Sequence, residues 1–128
     1  MGNNLSPTKM SAKVQKAIEQ YIDEEKYEKA LKLLDYGLKC YKDLFGKETP
    51  DCPEVADIYD MIGEIFTRQG LSEEAIEAYS ISYRINLKVR GPSHLRTQEV
   101  ENKLHNGVER EKLRREKLPT KPPLIHSG

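Results

Sequence analysis

The 128-residue chain matches itself when it is slid by 45 residues, and that self-similarity restricts its fold more than any other feature. Tyr21 falls on Phe66, Ala30 on Ala75, Tyr36 on Ile81, Gly46 on Gly91, and Glu54-Val55 on Glu99-Val100. Periods of this length mark stacked supersecondary units, each unable to bury its apolar face without a neighbour.

The apolar residues inside each unit recur with helical spacing. Tyr27, Ala30, Leu31, Leu34, Leu38, Tyr41 and Phe45 paint one stripe down a long helix that Gly46 ends. Met10, Val14, Ala17, Ile18 and Tyr21 predict a shorter helix before it, with Asp23-Glu24-Glu25-Lys26 as the polar turn between the two. Helices joined this tightly pack antiparallel. In the second unit, Val55, Ile58, Tyr59, Ile62 and Phe66 predict a helix opened by Pro53 and closed by Gly70. Ser72, followed by Glu73 and Glu74, is the expected N-cap of a fourth helix with Ala75, Ala78, Tyr79, Ser82 and Ile85 inside and Gly91-Pro92 as its stop. A fifth helix is predicted over about residues 95–117; its stripe of Val100, Leu104 and Val108 thins toward the end, leaving half of it solvated. The reading is therefore all-α, with a lead-in at residues 1–10, a helical domain at 11–117 and a proline-containing extended tail at 118–128.

The stretch Tyr59-Asp60-Met61-Ile62-Gly63-Glu64-Ile65-Phe66, followed by Gly70, Ala75, Tyr79 and Ser82, resembles a tetratricopeptide repeat. The added length after each second helix, with Gly91-Pro92-Ser93-His94 standing there, is similar to the kinesin light chain type, although Leu95 replaces the proline of that pattern. The resemblance implies antiparallel hairpins stacked as a short right-handed solenoid with a terminal capping helix. It also implies a non-enzymatic adaptor that grips a partner peptide or helix on the concave face made by the first helix of each pair.

On those helices the 45-residue spacing lines up Glu19, Glu64 and Glu109, with Gln15, Asp60 and His105 one turn earlier on the same stripe and Arg68 one turn after Glu64. Arrays of this family that hold C-terminal carboxylates use Lys and Asn at such places, so the carboxylates here point instead to a basic or mixed peptide. A solvated, non-functional face is the competing reading, and Arg68 is placed to pair with Glu64 internally.

Charge is distributed unevenly even though 21 Lys and Arg balance 21 Asp and Glu. Arg110, Lys112, Arg114, Arg115, Lys117 and Lys121 form a basic end. Such an end could meet acidic tubulin tails, an anionic membrane or a neighbouring copy, or simply provide the polar outer face that a solenoid end requires. The alternative to an adaptor is thus a structural component of a cytoskeletal or ciliary microtubule assembly. Neutral net charge and the lack of interleaved aromatics argue against nucleic acid. Gly2 fits the acceptor position of the myristoylation pattern, and a membrane anchor is expected only if Gly2 is lipidated, with the basic end as the second signal. Pro119-Thr120-Lys121-Pro122 fits a bare PxxP pattern. Cys40 and Cys52 read as free thiols in a cytoplasmic protein, and no metal or cofactor motif occurs. His94, His105 and His126 lack catalytic surroundings, and His94 is expected to cap or brace a loop.

Overall fold

A computed structural model describes residues 12–46 and 48–118. Five helices follow one another: α1 (Ala12–Asp23), α2 (Tyr27–Phe45), α3 (Pro53–Arg68), α4 (Ser72–Val89) and α5 (Leu95–Lys117). No strand occurs among the described residues, so the fold is all-α. The lead-in, Gly2, Met10, the PxxP stretch, Lys121 and His126 lie outside the described residues.

The 45-residue period reappears in the backbone. α2 begins at Tyr27 and α4 at Ser72, and each is preceded by the same turn. At the end of α3, Leu71 N–H donates to Phe66 O at 2.8 Å and Gly70 N–H to Thr67 O at 3.0 Å, with Gly70 at φ 77°. This nested pair satisfies two carbonyls that the helix end would otherwise leave open, and it needs a left-handed residue at its centre. At the end of α1, Lys26 N–H donates to Tyr21 O at 2.7 Å and Glu25 N–H to Ile22 O at 3.0 Å. There the left-handed place is taken by Glu25, at φ 60°, the one described non-glycine residue with positive φ.

This turn corrects the expected cap of α4. Leu71 closes the bonds of α3 and is at once the residue before α4, so Ser72 is already inside the helix and no side chain caps it. α5 does have a side-chain cap: His94 Nδ1 accepts from Arg96 N–H at 3.0 Å, as its loop position suggested.

α4 runs antiparallel to both α3 and α5. Ser82 Oγ on α4 donates to Ala56 O on α3 at 2.7 Å, and Tyr79, one turn earlier on α4, meets Gly63, two turns later on α3. Asn86 and Thr97 meet at one end of the α4–α5 pair, and Ile76 and Gly107 toward the other. The main core gathers Ile18, Ile22, Ala30, Leu34, Tyr41, Val55, Ile58, Ile65 and Ile85 from the first four helices. A second cluster of Ala75, Tyr79 and Val100 seats α5. The predicted inner face of α4 is buried throughout, whereas Phe45 at the end of the α2 stripe is 53% exposed. Burying side chains of this size removes about 25 cal/mol of unfavourable hydration per Å² of apolar area, which is what holds these helices together.

Candidate functional site

Three helices converge on one cavity of about 220 Å³. α1 contributes Gln15, Glu19, Ile22 and Asp23; α3 contributes Asp57, Asp60, Met61 and Glu64; α5 contributes Arg96 and Lys103. Gln15, Glu19 and Asp23 on α1, Asp57, Asp60 and Glu64 on α3, and Arg96 and Lys103 on α5 are spaced by three, four or seven residues, which puts these polar side chains on a single stripe per helix. Ile22 and Met61 supply the apolar part of the wall.

The predicted set is divided by this geometry. Gln15, Glu19, Asp60 and Glu64 line the cavity together. Arg68 stands beside it with Nη2 3.2 Å from Glu64 Oε2, the internal pairing its position suggested. His105 and Glu109 are exposed on α5 and do not line it. The reason is the seat of α5 on α4. Thr97, Val100, Gly107 and Glu111 are its buried residues, so the seam runs through Gly107, and Val108, the expected seam residue, is 44% exposed. That rotation brings Arg96 and Lys103 to the cavity and carries His105 and Glu109 to the far flank. The 3-4 spacing of Val100, Leu104, Gly107 and Glu111 was the available signal, obscured because two of its members are a glycine and a glutamate.

Two cations thus enter a face expected to be acidic. Asp60, 4% exposed, receives Lys103 Nζ at 2.9 Å and lies 3.7 Å from Arg96 Nη1. Asp57 is held by Arg90 through two parallel hydrogen bonds of 2.9 and 3.2 Å, the fork geometry that favours guanidinium over ammonium. Arg90 Nη1 also donates to Asn86 Oδ1 at 2.7 Å. Burial works against the charge on Lys103, yet the Asp60 carboxylate keeps its ammonium above the ordinary lysine range. The ion pairs tie α3 to α4 and α5 and fix one wall of the cavity.

The opposite wall is different. Glu19 and Asp23 on α1 make no ion pair among the described residues. Ion pairs therefore close the α3–α5 side of the cavity and are absent from the α1 side, where Asp23 is reached only by the longer-range field of Arg68. Among the described residues no group of three or more His, Cys, Asp or Glu side chains is placed to hold a metal ion.

The basic end is partly consumed by the fold. Glu111, buried in α5, accepts from Arg114 at 2.6 and 2.9 Å and from Arg115 at 3.0 Å, and Arg115 reaches Glu73 on α4 at 3.1 Å. The Arg114 hydrogen bond, joined against burial by Arg115, holds the Glu111 carboxyl down at about 2. Arg110, Lys112 and Lys117 remain exposed. No described helix is long and apolar enough to cross a membrane.

Comparison with protein-family models, with curated proteins and with solved structures gives no match.

Proposed function

We propose that the chain is a non-enzymatic protein-binding adaptor. In this reading its hairpins stack as a short tetratricopeptide-like solenoid, and a basic or mixed-charge segment of a partner lies in the groove between α1 and α3. The observation that carries it is the unequal satisfaction of the groove's carboxylates. Asp57, Asp60 and Glu64 already have Arg90, Lys103 and Arg68 in ion pairs, whereas Glu19 and Asp23 face them across the cavity with no ion pair of their own, Asp23 sharing only the field of the Arg68 that Glu64 holds. A lysine or arginine of a partner would supply that charge while laying its aliphatic stem on Met61 and Ile22. Because the helices are preformed, binding orders little of the receptor, and the residual negative field speeds encounter more than it deepens affinity.

Fluorescence anisotropy with a labelled Lys/Arg-rich helical peptide, and with its Glu-rich counterpart, tests this on the full chain. The basic peptide should bind with salt-sensitive affinity. Glu19→Lys combined with Asp23→Lys should weaken it about tenfold, a change of about 1.4 kcal/mol. Equal binding of the acidic peptide, or indifference to the two reversals, would reject the groove as the binding face.

A further inference from the structure

The connection between α2 and α3, residues 46–52, carries a second feature that the groove does not use. Thr49 is followed by Pro50 in a stretch without regular secondary structure. Among the described residues no other serine or threonine precedes a proline. Most of the other described hydroxyls belong to helices. Ser82 and Thr97 are buried and hydrogen-bonded to backbone, and Thr67 is bonded to Gly63 O, so none of these three is available. Proline disfavours the α conformation of the residue before it and pushes that residue toward extended backbone, the form in which an acceptor threonine enters a kinase cleft.

What surrounds Thr49 gives the modification a physical consequence. It lines an open groove of about 650 Å³ with Leu38, Lys39, Lys42, Asp43, Glu48 and Tyr59. Lys39 and Lys42 come from α2 and are exposed. The downstream end of the connection is already anchored, since Asp51 takes Lys88 at 2.9 Å and Arg84 at 3.3 Å from α4. At the upstream end Gly46 turns the chain at φ 108°. Thr49 thus lies between a turn and an anchor, beside two lysines whose charge is balanced in the groove by Asp43 and Glu48.

We propose that Thr49 is a phosphorylation site for a proline-directed protein kinase and that its phosphate seats on Lys39 and Lys42. The step transfers the γ-phosphoryl group of ATP to Thr49 Oγ1. A new P–O ester bond forms as the β–γ anhydride bond breaks, the hydroxyl proton passes to the kinase's base, and ADP leaves. Phosphothreonine brings a charge of about −1.5 to −2 and three strong acceptor oxygens on one group, against a single charge on each of the two groove carboxylates with which it competes for the lysines. The connection would then be clipped to α2 as well as to α4, stiffening the joint between the first hairpin and the second.

The test uses the full chain with a purified proline-directed kinase and ATP, with a Ser6→Ala background to remove the other Ser/Thr-Pro pair. Intact-mass and fragment spectrometry should place one phosphate on Thr49, absent in Thr49→Ala. The phosphorylated chain should melt about 3 °C higher than the unphosphorylated one, within the shift that one or two new charge-assisted bonds give a domain of this size. Lys39→Ala with Lys42→Ala should abolish that rise while leaving phosphorylation intact. A chain that the kinase does not modify at Thr49 would overturn the site. A melting shift that is absent, negative or unchanged in the double lysine variant would overturn the seat.

Discussion

Gly63 is where the closeness of two helices can be measured by adding one methyl group. A Cβ built there would stand 2.5 Å from Tyr79 Cε1, 2.6 Å from Cδ1 and 2.9 Å from Cζ, distances that real carbon atoms do not share. The ring has little room to yield. Tyr79 is 3% exposed, and its hydroxyl lies 3.4 Å from the Thr67 Oγ1 that also donates to Gly63 O. In an open helix Gly→Ala is stabilising by about 0.5–1 kcal/mol, because glycine loses more backbone freedom on folding. Overpacking a close-fitted contact costs about 1–3 kcal/mol, so the steric effect wins and Gly63→Ala should destabilise by about 1 kcal/mol net. Near the melting temperature of a domain of this size that is a fall of about 5 °C.

The comparison that isolates the cause is Gly107→Ala, also mid-helix, whose added Cβ would meet only Ile76 Cγ1 at 3.3 Å. There the propensity gain should cancel or exceed the smaller crowding, leaving the melting temperature equal or slightly raised. Adding Tyr79→Leu to Gly63→Ala should show coupling, the pair costing less than the sum of the single changes. Calorimetry of the parent, the three single variants and the double variant reads all of this. If Gly63→Ala melts at or above the parent, the α3–α4 contact is looser than described and the argument from the glycine fails.

Three further outcomes follow from named contacts. Glu25→Gly should raise stability by about 0.5–1 kcal/mol in urea unfolding by relieving the left-handed strain of the first turn, and a loss would show that the Glu25 side chain matters more than its backbone. Lys103→Met leaves the buried Asp60 with only the more distant Arg96 and should cost about 1–2 kcal/mol, less than a fully buried pair because Lys103 is partly solvated; Lys103→Met with Asp60→Asn should recover part of it. Glu111, held at about 2 in the fold against an ordinary 4.5, contributes stability that is complete above pH 4.5 and is lost as pH falls toward 2. Glu111→Gln should therefore melt below the parent at pH 6 and converge with it near pH 2, and a gap independent of pH would refute the assignment.

The helices were legible where one residue type has one physical use. Pro53 has no backbone donor to lose in a first turn, Gly70 takes a left-handed angle without strain, and the inner face of α4 alternates at helical spacing against a single partner surface. The repeated turn was legible only by its offset, because the place Gly70 fills in the second unit is filled by Glu25 in the first, a residue that carries no such signal. The groove was half legible for a related reason. α1 and α3 have apolar seams that fix which flank faces the cavity, and Gln15, Glu19, Asp60 and Glu64 follow from those seams. α5 is polar enough that its rotation is decided by shape and charge: Gly107 admits Ile76, and Glu111 is tolerated in the seam because Arg114 and Arg115 neutralise it. A hydrophobic stripe cannot report an orientation chosen by a missing side chain and a buried ion pair. The same rotation that moved Glu109 away delivered Lys103 to Asp60, and so converted an expected uniform acidic stripe into a groove with one satisfied wall and one open one. That asymmetry depends on α5 and not on either repeat alone, and it is what the proposed reading uses to place a partner's cation beside α1.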